Sequence, residues 1–252
     1  MIFLTLLFLQ RRLIYLPTKI PAAVVVQVAR EHGFLPWQNP RGEIIGWKIL
    51  SEGAVRGSVL IVHGNAGCAV GRDYIAQPLY QAMEGRMSVF VLEYPGYGAR
   101  GGRPSKASLL AAAEEAFQML PSVGPKYLVS ESIGAGVATE LAQRHPEEVA
   151  GMALLVPYHN LATVAQRMFW FLPAYFLLLD RFDPETCLKN YRGPVLFAVA
   201  GKDEILGAAT GIRLHEGYQG RKRLQVFEGA GHNEVSGQEP AWWRETIVFW
   251  RA

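Results

Sequence analysis

Cysteine is close to absent: Cys68 and Cys187 are the only two. Such a pair defines neither a disulfide framework nor a zinc cluster, so each reads as a buried or incidental thiol and the redox compartment stays open. Charge is sparse too, 19% of residues against 50% hydrophobic, which excludes global disorder and allows a large core. The net charge of +3 comes from scattered basic residues and points to no nucleic-acid partner. The one tight run, Arg221-Lys222-Arg223, fits the solvated entry of a strand. Internal repeats and low-complexity linkers are also missing.

No apolar run is long enough to span a bilayer. Met1 to Leu9 (MIFLTLLFL) is almost wholly apolar, but a helix of that length covers only about 14 Å of a hydrocarbon layer near 30 Å. It lacks the basic start and small-residue cleavage site of a signal peptide. Three readings stay open. The segment lies in a membrane interface with Arg11, Arg12 and Lys19 at the headgroups, packs on the domain, or is the stump of a longer anchor. Residues 1–20 are set apart on this basis, with peripheral membrane contact as their expected partner and a cytoplasmic or membrane-associated location; residues 21–252 read as one domain.

What is present is alternation. Short, solidly apolar runs occur at Ser58–His63, Met87–Tyr94, Lys126–Ser130, Val149–Leu155, Pro194–Ala200 and Arg223–Phe227, as expected of strands buried on both faces. Glu43–Ser51 alternates like an exposed antiparallel strand. Helix-compatible stretches lie between them: Arg72–Met83, Ser105–Leu120, Ile133–Arg144, Ala208–Tyr218 and Ala241–Arg251. The fold class this predicts is α/β, a mostly parallel sheet with helices on both faces, its chemistry at the carboxyl ends of the strands. Residues 157–192 break the alternation. Their apolar stretch, which includes Phe169 and Trp170, reads as a core helix pair, as a cap that supplies an acyl pocket, or as both.

Ser130-Glu131-Ser132-Ile133-Gly134-Ala135-Gly136 stands where a buried strand gives way to a helix. A serine in such a turn is lifted above the sheet near the positive helix end, and small neighbours admit the strained backbone. Three further elements support Ser132 as a nucleophile. His63-Gly64-Asn65-Ala66-Gly67 follows the first apolar strand and can aim backbone N–H groups at an oxyanion, joined by the N–H of Ile133. No Gly-Lys-Ser/Thr follows, so this is not a phosphate loop, and His63 reads as a loop-fixing imidazole. Asp203 in Gly201-Lys202-Asp203-Glu204 is placed to orient a histidine, its shorter side chain preferred to that of Glu204. Asp180 and Asp183 are weaker rivals, read as surface carboxylates or helix termini. His232, in a glycine-rich loop after the last strand, is the base that a hydroxyl nucleophile requires.

The segments HGNAG, EYPGYG, SESIGAG, GKDE and GHNE resemble the α/β-hydrolase superfamily, most closely its ABHD-type serine hydrolases and their bacterial relatives. The similarity runs from about Gln10 to the C-terminus. The resemblance implies an α/β-hydrolase fold with a helical cap, Ser132 as nucleophile, Asp203 as acid and His232 as base. It also implies an oxyanion hole of the Asn65 and Ile133 N–H groups, and a pocket wall shaped by Tyr94 and Tyr97, with Phe169 and Trp170 lining the cap side. Two departures concern turn geometry: Ser130 replaces the usual elbow glycine, and Gly207 stands where proline is common. The expected activity is hydrolysis of a carboxylic acyl ester through an acyl-enzyme, with no metal or cofactor. A thioesterase or an acyl-protein or lipid hydrolase is the alternative, and a non-catalytic binding protein of the same fold the second.

Overall fold

The computed structural model describes residues 10–252. Eight strands form the central sheet: β1 (Leu35–Gln38), β2 (Ile44–Ile49), β3 (Ser58–Val62), β4 (Ser88–Leu92), β5 (Lys126–Glu131), β6 (Val149–Leu155), β7 (Val195–Ala200) and β8 (Lys222–Phe227). Their spatial order is β8-β7-β6-β5-β3-β4-β2-β1. All neighbours run parallel except β1 with β2 and β2 with β4. The order reverses at β3, and ligand sites in open α/β sheets open at such a switch point.

The strands are apolar throughout because both faces are covered. In β3, Leu60 and Val62 enter one core while Val59 and Ile61 enter the other, as the two-residue side-chain period requires. Helices α3 (Lys106–Gln118), α4 (Gly134–Arg144) and α8 (Ala208–Gly217) cover the first face; α1 (Ala22–Glu31), α2 (Asp73–Ala82) and α9 (Pro240–Arg251) cover the second. Helix α4 comes close to β3 at Gly134, where a Cβ would overlap the carbonyl oxygen of Val62.

One element departs from the sequence expectation, and another, α1, is not assigned from the sequence. Strand β2 is antiparallel but not exposed: Ile45, Trp47 and Ile49 are buried. The strand that flanks it, β1, contains Pro36, which is tolerated at a sheet edge. Helix α1 carries four valines among its ten residues. These β-branched residues favour strands when read locally, and the helix is held by burial of Val25 and Ala29.

Residues 157–192 hold α5 (Leu161–Met168) and the short helices α6 (Ala174–Leu177) and α7 (Pro184–Cys187). This insertion is tied to the N-terminal segment, of which residues 10–14 are helical. Arg11 donates to both carboxylate oxygens of Asp180, at 3.0 and 3.2 Å, and the Tyr15 hydroxyl donates to Oδ2 at 3.0 Å. Asp180 is therefore a buried anchor rather than a surface carboxylate, whereas Asp183 caps α7 through the Thr186 N–H. Leu16–Pro17 pairs in parallel with Ala66–Gly67. Residues 10–20, set apart in the sequence reading, are thus built into the domain; the expectation for Met1 to Leu9 lies outside the described residues. Among the described residues no helix is long and apolar enough to cross a membrane. Cys68 and Cys187 are both buried, and burial pushes the Cys187 thiol up to about 12.

Replacing Gly134 with Ala forces α4 away from β3 and should cost about 2 kcal/mol of stability. Urea denaturation at equilibrium checks this, and an unchanged midpoint would show that the close approach does not matter.

Candidate active site

The carboxyl end of β5 runs into α4 through Ser132, whose φ of +51° is a strained, left-handed conformation for a residue with a side chain. The Ser132 N–H donates to the Leu155 carbonyl at 3.0 Å, and its own carbonyl accepts from Ala135 at 2.9 Å. These bonds hold the turn, and the side chain stands at the positive end of α4. Only 8% of Ser132 is exposed.

The loops after β7 and β8 bring the other two side chains to it. His232 Nε2 lies 3.1 Å from Ser132 Oγ, and His232 Nδ1 lies 2.8 Å from Asp203 Oδ2. The remaining Asp203 oxygen accepts the N–H groups of Ile205 (3.0 Å) and Leu206 (2.7 Å). Burial alone would raise the Asp203 carboxyl. The bond from His232 and the backbone donors outweigh it and hold the group below the usual carboxylate value. An ionised carboxylate only accepts, so Nδ1 carries the proton and Nε2 offers its lone pair to the serine hydroxyl. Glu204 has a different task from its neighbour: it accepts the His232 backbone N–H at 3.2 Å. Lys202 N–H to the Ala230 carbonyl, 2.9 Å, joins the same two loops.

The loop after β3 lies over the elbow. A Cβ on Gly64 would sit 3.6 Å from the Ser132 Cβ, so the next amide, that of Asn65, borders the reaction centre. Among the described residues, neither the Asn65 N–H nor the Ile133 N–H is donated to a protein acceptor. His63 is buried, its Nδ1 2.8 Å from the Gly64 carbonyl. Tyr94 and Tyr97 are not on a pocket wall. Both are wholly buried, and their hydroxyls donate to the carbonyls of His63 (3.1 Å) and Asn65 (2.8 Å). They support the loop from beneath.

A cluster that sequence reasoning missed fixes this loop from the side. Glu131 accepts from Arg72 Nε at 2.8 Å, from the Tyr74 hydroxyl at 2.7 Å and from the Gly64 N–H at 3.2 Å. Arg72 also donates to the Ala66 carbonyl at 2.6 Å. Burial would raise Glu131, but the Arg72 charge and the Tyr74 and Gly64 bonds hold it low. An acid inside the elbow was the one available signal; nothing local marks Arg72 as its partner.

Where residues 157–192 meet the N-terminal segment, Leu13, Ile14, Phe169, Leu172, Leu177 and Leu178 line a small apolar cleft of about 100 Å³. Phe169 lies on this cleft. Trp170 does not; its ring is turned to solvent, 79% exposed. Ser132 and His232 are not among the cleft's lining residues, and Asn65 links the two regions by donating to the Ile14 carbonyl at 3.1 Å. Gly207 explains one sequence departure: its φ is +81° and the Arg167 guanidinium fills the space of a Cβ, neither of which proline permits.

The alpha/beta hydrolase fold family model matches residues 57–186. An uncharacterised protein of Mycobacterium tuberculosis is 34% identical over 233 residues, covering 89% of this chain and 81% of that protein. The chain belongs to the alpha/beta hydrolase fold family. Protein bem46 of Schizosaccharomyces pombe is 29% identical over 71% of this chain and 62% of its own. Among solved structures, Est1E of Butyrivibrio proteoclasticus with ferulic acid bound superposes with a TM-score of 0.67 at 15% identity, covering 81% of this chain and 93% of that one. An esterase of Pyrococcus furiosus gives 0.66 at 14% identity, over 94% and 96%. At such identities the structures speak for the fold.

Glu131→Ala leaves the nearly buried Arg72 charge unpaired and should cost about 3 kcal/mol. Because the folded carboxyl titrates below its unfolded value of about 4.3, its contribution is full above that pH and fades as pH falls through the folded value. Stability measured against pH should therefore drop on the acid side in the parent and less steeply in Glu131→Gln. Equal acid slopes would sink the assignment.

Proposed function

We propose that this protein is a serine hydrolase that cleaves carboxylic acyl esters. The observation that carries the reading is the Asp203–His232–Ser132 relay, 2.8 Å and 3.1 Å, at the carboxyl ends of three strands. Ser132 Oγ attacks the ester carbonyl carbon as His232 Nε2 takes its proton, and Asp203 steadies the imidazolium. The N–H groups of Asn65 and Ile133 receive the oxyanion. Collapse expels the alcohol, protonated by His232, and leaves an acyl group on Ser132. Water, deprotonated by His232, attacks this ester; the second tetrahedral species releases the acid and returns the proton to Ser132.

The apolar cleft supports an acyl chain as the recognised part of the substrate. The same chemistry serves a thioester, so acyl thioesters belong in the substrate panel. With p-nitrophenyl esters of increasing length, each methylene that enters the cleft should lower KM by up to roughly fourfold. Phe169→Ala should raise KM for the longer esters only. A KM that is flat from acetate upward removes the acyl-chain reading.

Ser132→Ala should reduce turnover by several powers of ten and abolish labelling by a fluorophosphonate probe. Mass spectrometry of the labelled parent should place the adduct on Ser132. A parent that resists the probe would instead fit a binding protein built on the hydrolase fold.

A further inference from the structure

The cap carries side chains that the acyl cleft does not use. Trp170, Phe171, Phe176 and Leu179 are 79%, 66%, 76% and 58% exposed, with Met168 beside them. A cluster of large apolar groups facing water on one short segment marks a surface that meets something apolar. From the chemistry around it, we propose that this patch seats the protein on an anionic lipid bilayer.

Charge selects that occupant. Between Asn160 and Arg181 the only acidic residue is Asp180, and it is buried against Arg11 and Tyr15. Residues 1–20 contain no acid and three basic residues, Arg11, Arg12 and Lys19. Arg11, Arg12 and Arg103 line a concavity beside the cleft, and Arg181 borders Tyr175 and Phe176 through bonds to their carbonyls at 2.9 Å. An apolar centre flanked by Arg12, Arg103 and Arg181 complements lipid tails and acidic headgroups. A second copy of the chain would bring the same positive rim to a self-complementary contact.

The chain's own course agrees. Gln10, the first described residue after the mostly apolar segment Met1 to Leu9, sits on the insertion. Its side chain donates to the Leu177 carbonyl at 3.3 Å and accepts the Leu179 N–H at 2.8 Å. Gln10 therefore lies at the edge of the patch. The surface also borders the reaction centre: Arg167 donates to the Ile205 carbonyl at 3.1 Å, two residues past Asp203, while Asn65 holds Ile14. Lipid contact itself is independent of the hydrolase reading; that the patch delivers acyl esters from a bilayer rests on it.

Trp170 is a built-in reporter, since the other five tryptophans are buried or half-buried. The full chain should be titrated with vesicles of phosphatidylcholine alone and of phosphatidylcholine with phosphatidylglycerol. The expected result is a blue shift of tryptophan emission, larger and tighter with the anionic vesicles. Phe171→Ser/Phe176→Ser, whose fold is checked by its melting curve, should weaken partitioning at least about tenfold. Arg12→Glu/Arg103→Glu should remove the preference for anionic vesicles. Ser132→Ala should bind as the parent does, so loss of hydrolysis and loss of binding are read apart. The proposal is overturned if emission does not move with either vesicle, or if the phenylalanine double variant partitions unchanged. It is equally overturned if the parent is a dimer that ignores vesicles and the same double variant is a monomer, for the patch then joins two chains.

Discussion

The site depends on one strained residue held in place on every side. Ser132 occupies a left-handed backbone conformation, a state that persists only where the surroundings leave no alternative. Here β6 receives its N–H through Leu155, the first turn of α4 receives its carbonyl, and Gly134 lets the helix rest on the end of β3. The strain sets a hydroxyl above the sheet, with the helix's positive end behind it. Without Gly134 the helix stands off, and the hydroxyl moves relative to an imidazole carried by a separate loop.

Each remaining part of the site is fixed by a different physical device. Asp203 is set by two backbone N–H groups that donate to one of its oxygens, which keeps it ionised and gives His232 a single tautomer. The loop after β3 is held from below by two buried phenol groups and from the side by the Glu131–Arg72–Tyr74 cluster, which reaches across to Gly64 and Ala66. Under the proposed hydrolase reading, that loop must keep an amide free for an oxyanion. The structure does so by anchoring its carbonyls instead, at His63, Asn65 and Ala66. Apart from the Gly64 N–H, which Glu131 accepts, the loop is secured through its carbonyls, and the Asn65 N–H is left without a protein acceptor among the described residues.

This division explains what could be read from the chain alone. The parallel strands were legible because burial on both faces makes them continuous apolar runs. Ser132, Asp203 and His232 were legible because each follows such a run directly. Tyr94 and Tyr97 were assigned to a pocket wall because an aromatic residue in a glycine-rich loop has no local mark of burial; only the sheet packed around them makes them supports. Trp170 failed for the opposite reason: hydrophobicity predicted an interior place, and the cap turns the ring outward. Arg72 and Glu131 lie 59 positions apart, and nothing short of the fold brings such a pair together.

The N-terminal segment changes how the cap must be understood. An insertion joined to the sheet only at its ends could swing as a unit, but this one is held at both flanks by groups tied to the reaction centre. Asp180 binds it to Arg11 and Tyr15, and the next residues, Leu16 and Pro17, pair with Ala66 and Gly67 of the loop over the serine. Arg167 binds the other flank to the loop that carries Asp203. The insertion is therefore fixed both to the loop over Ser132 and to the loop that carries Asp203. Under the proposed hydrolase reading, these are the two loops whose spacing decides whether an ester carbonyl fits between nucleophile and amide donors.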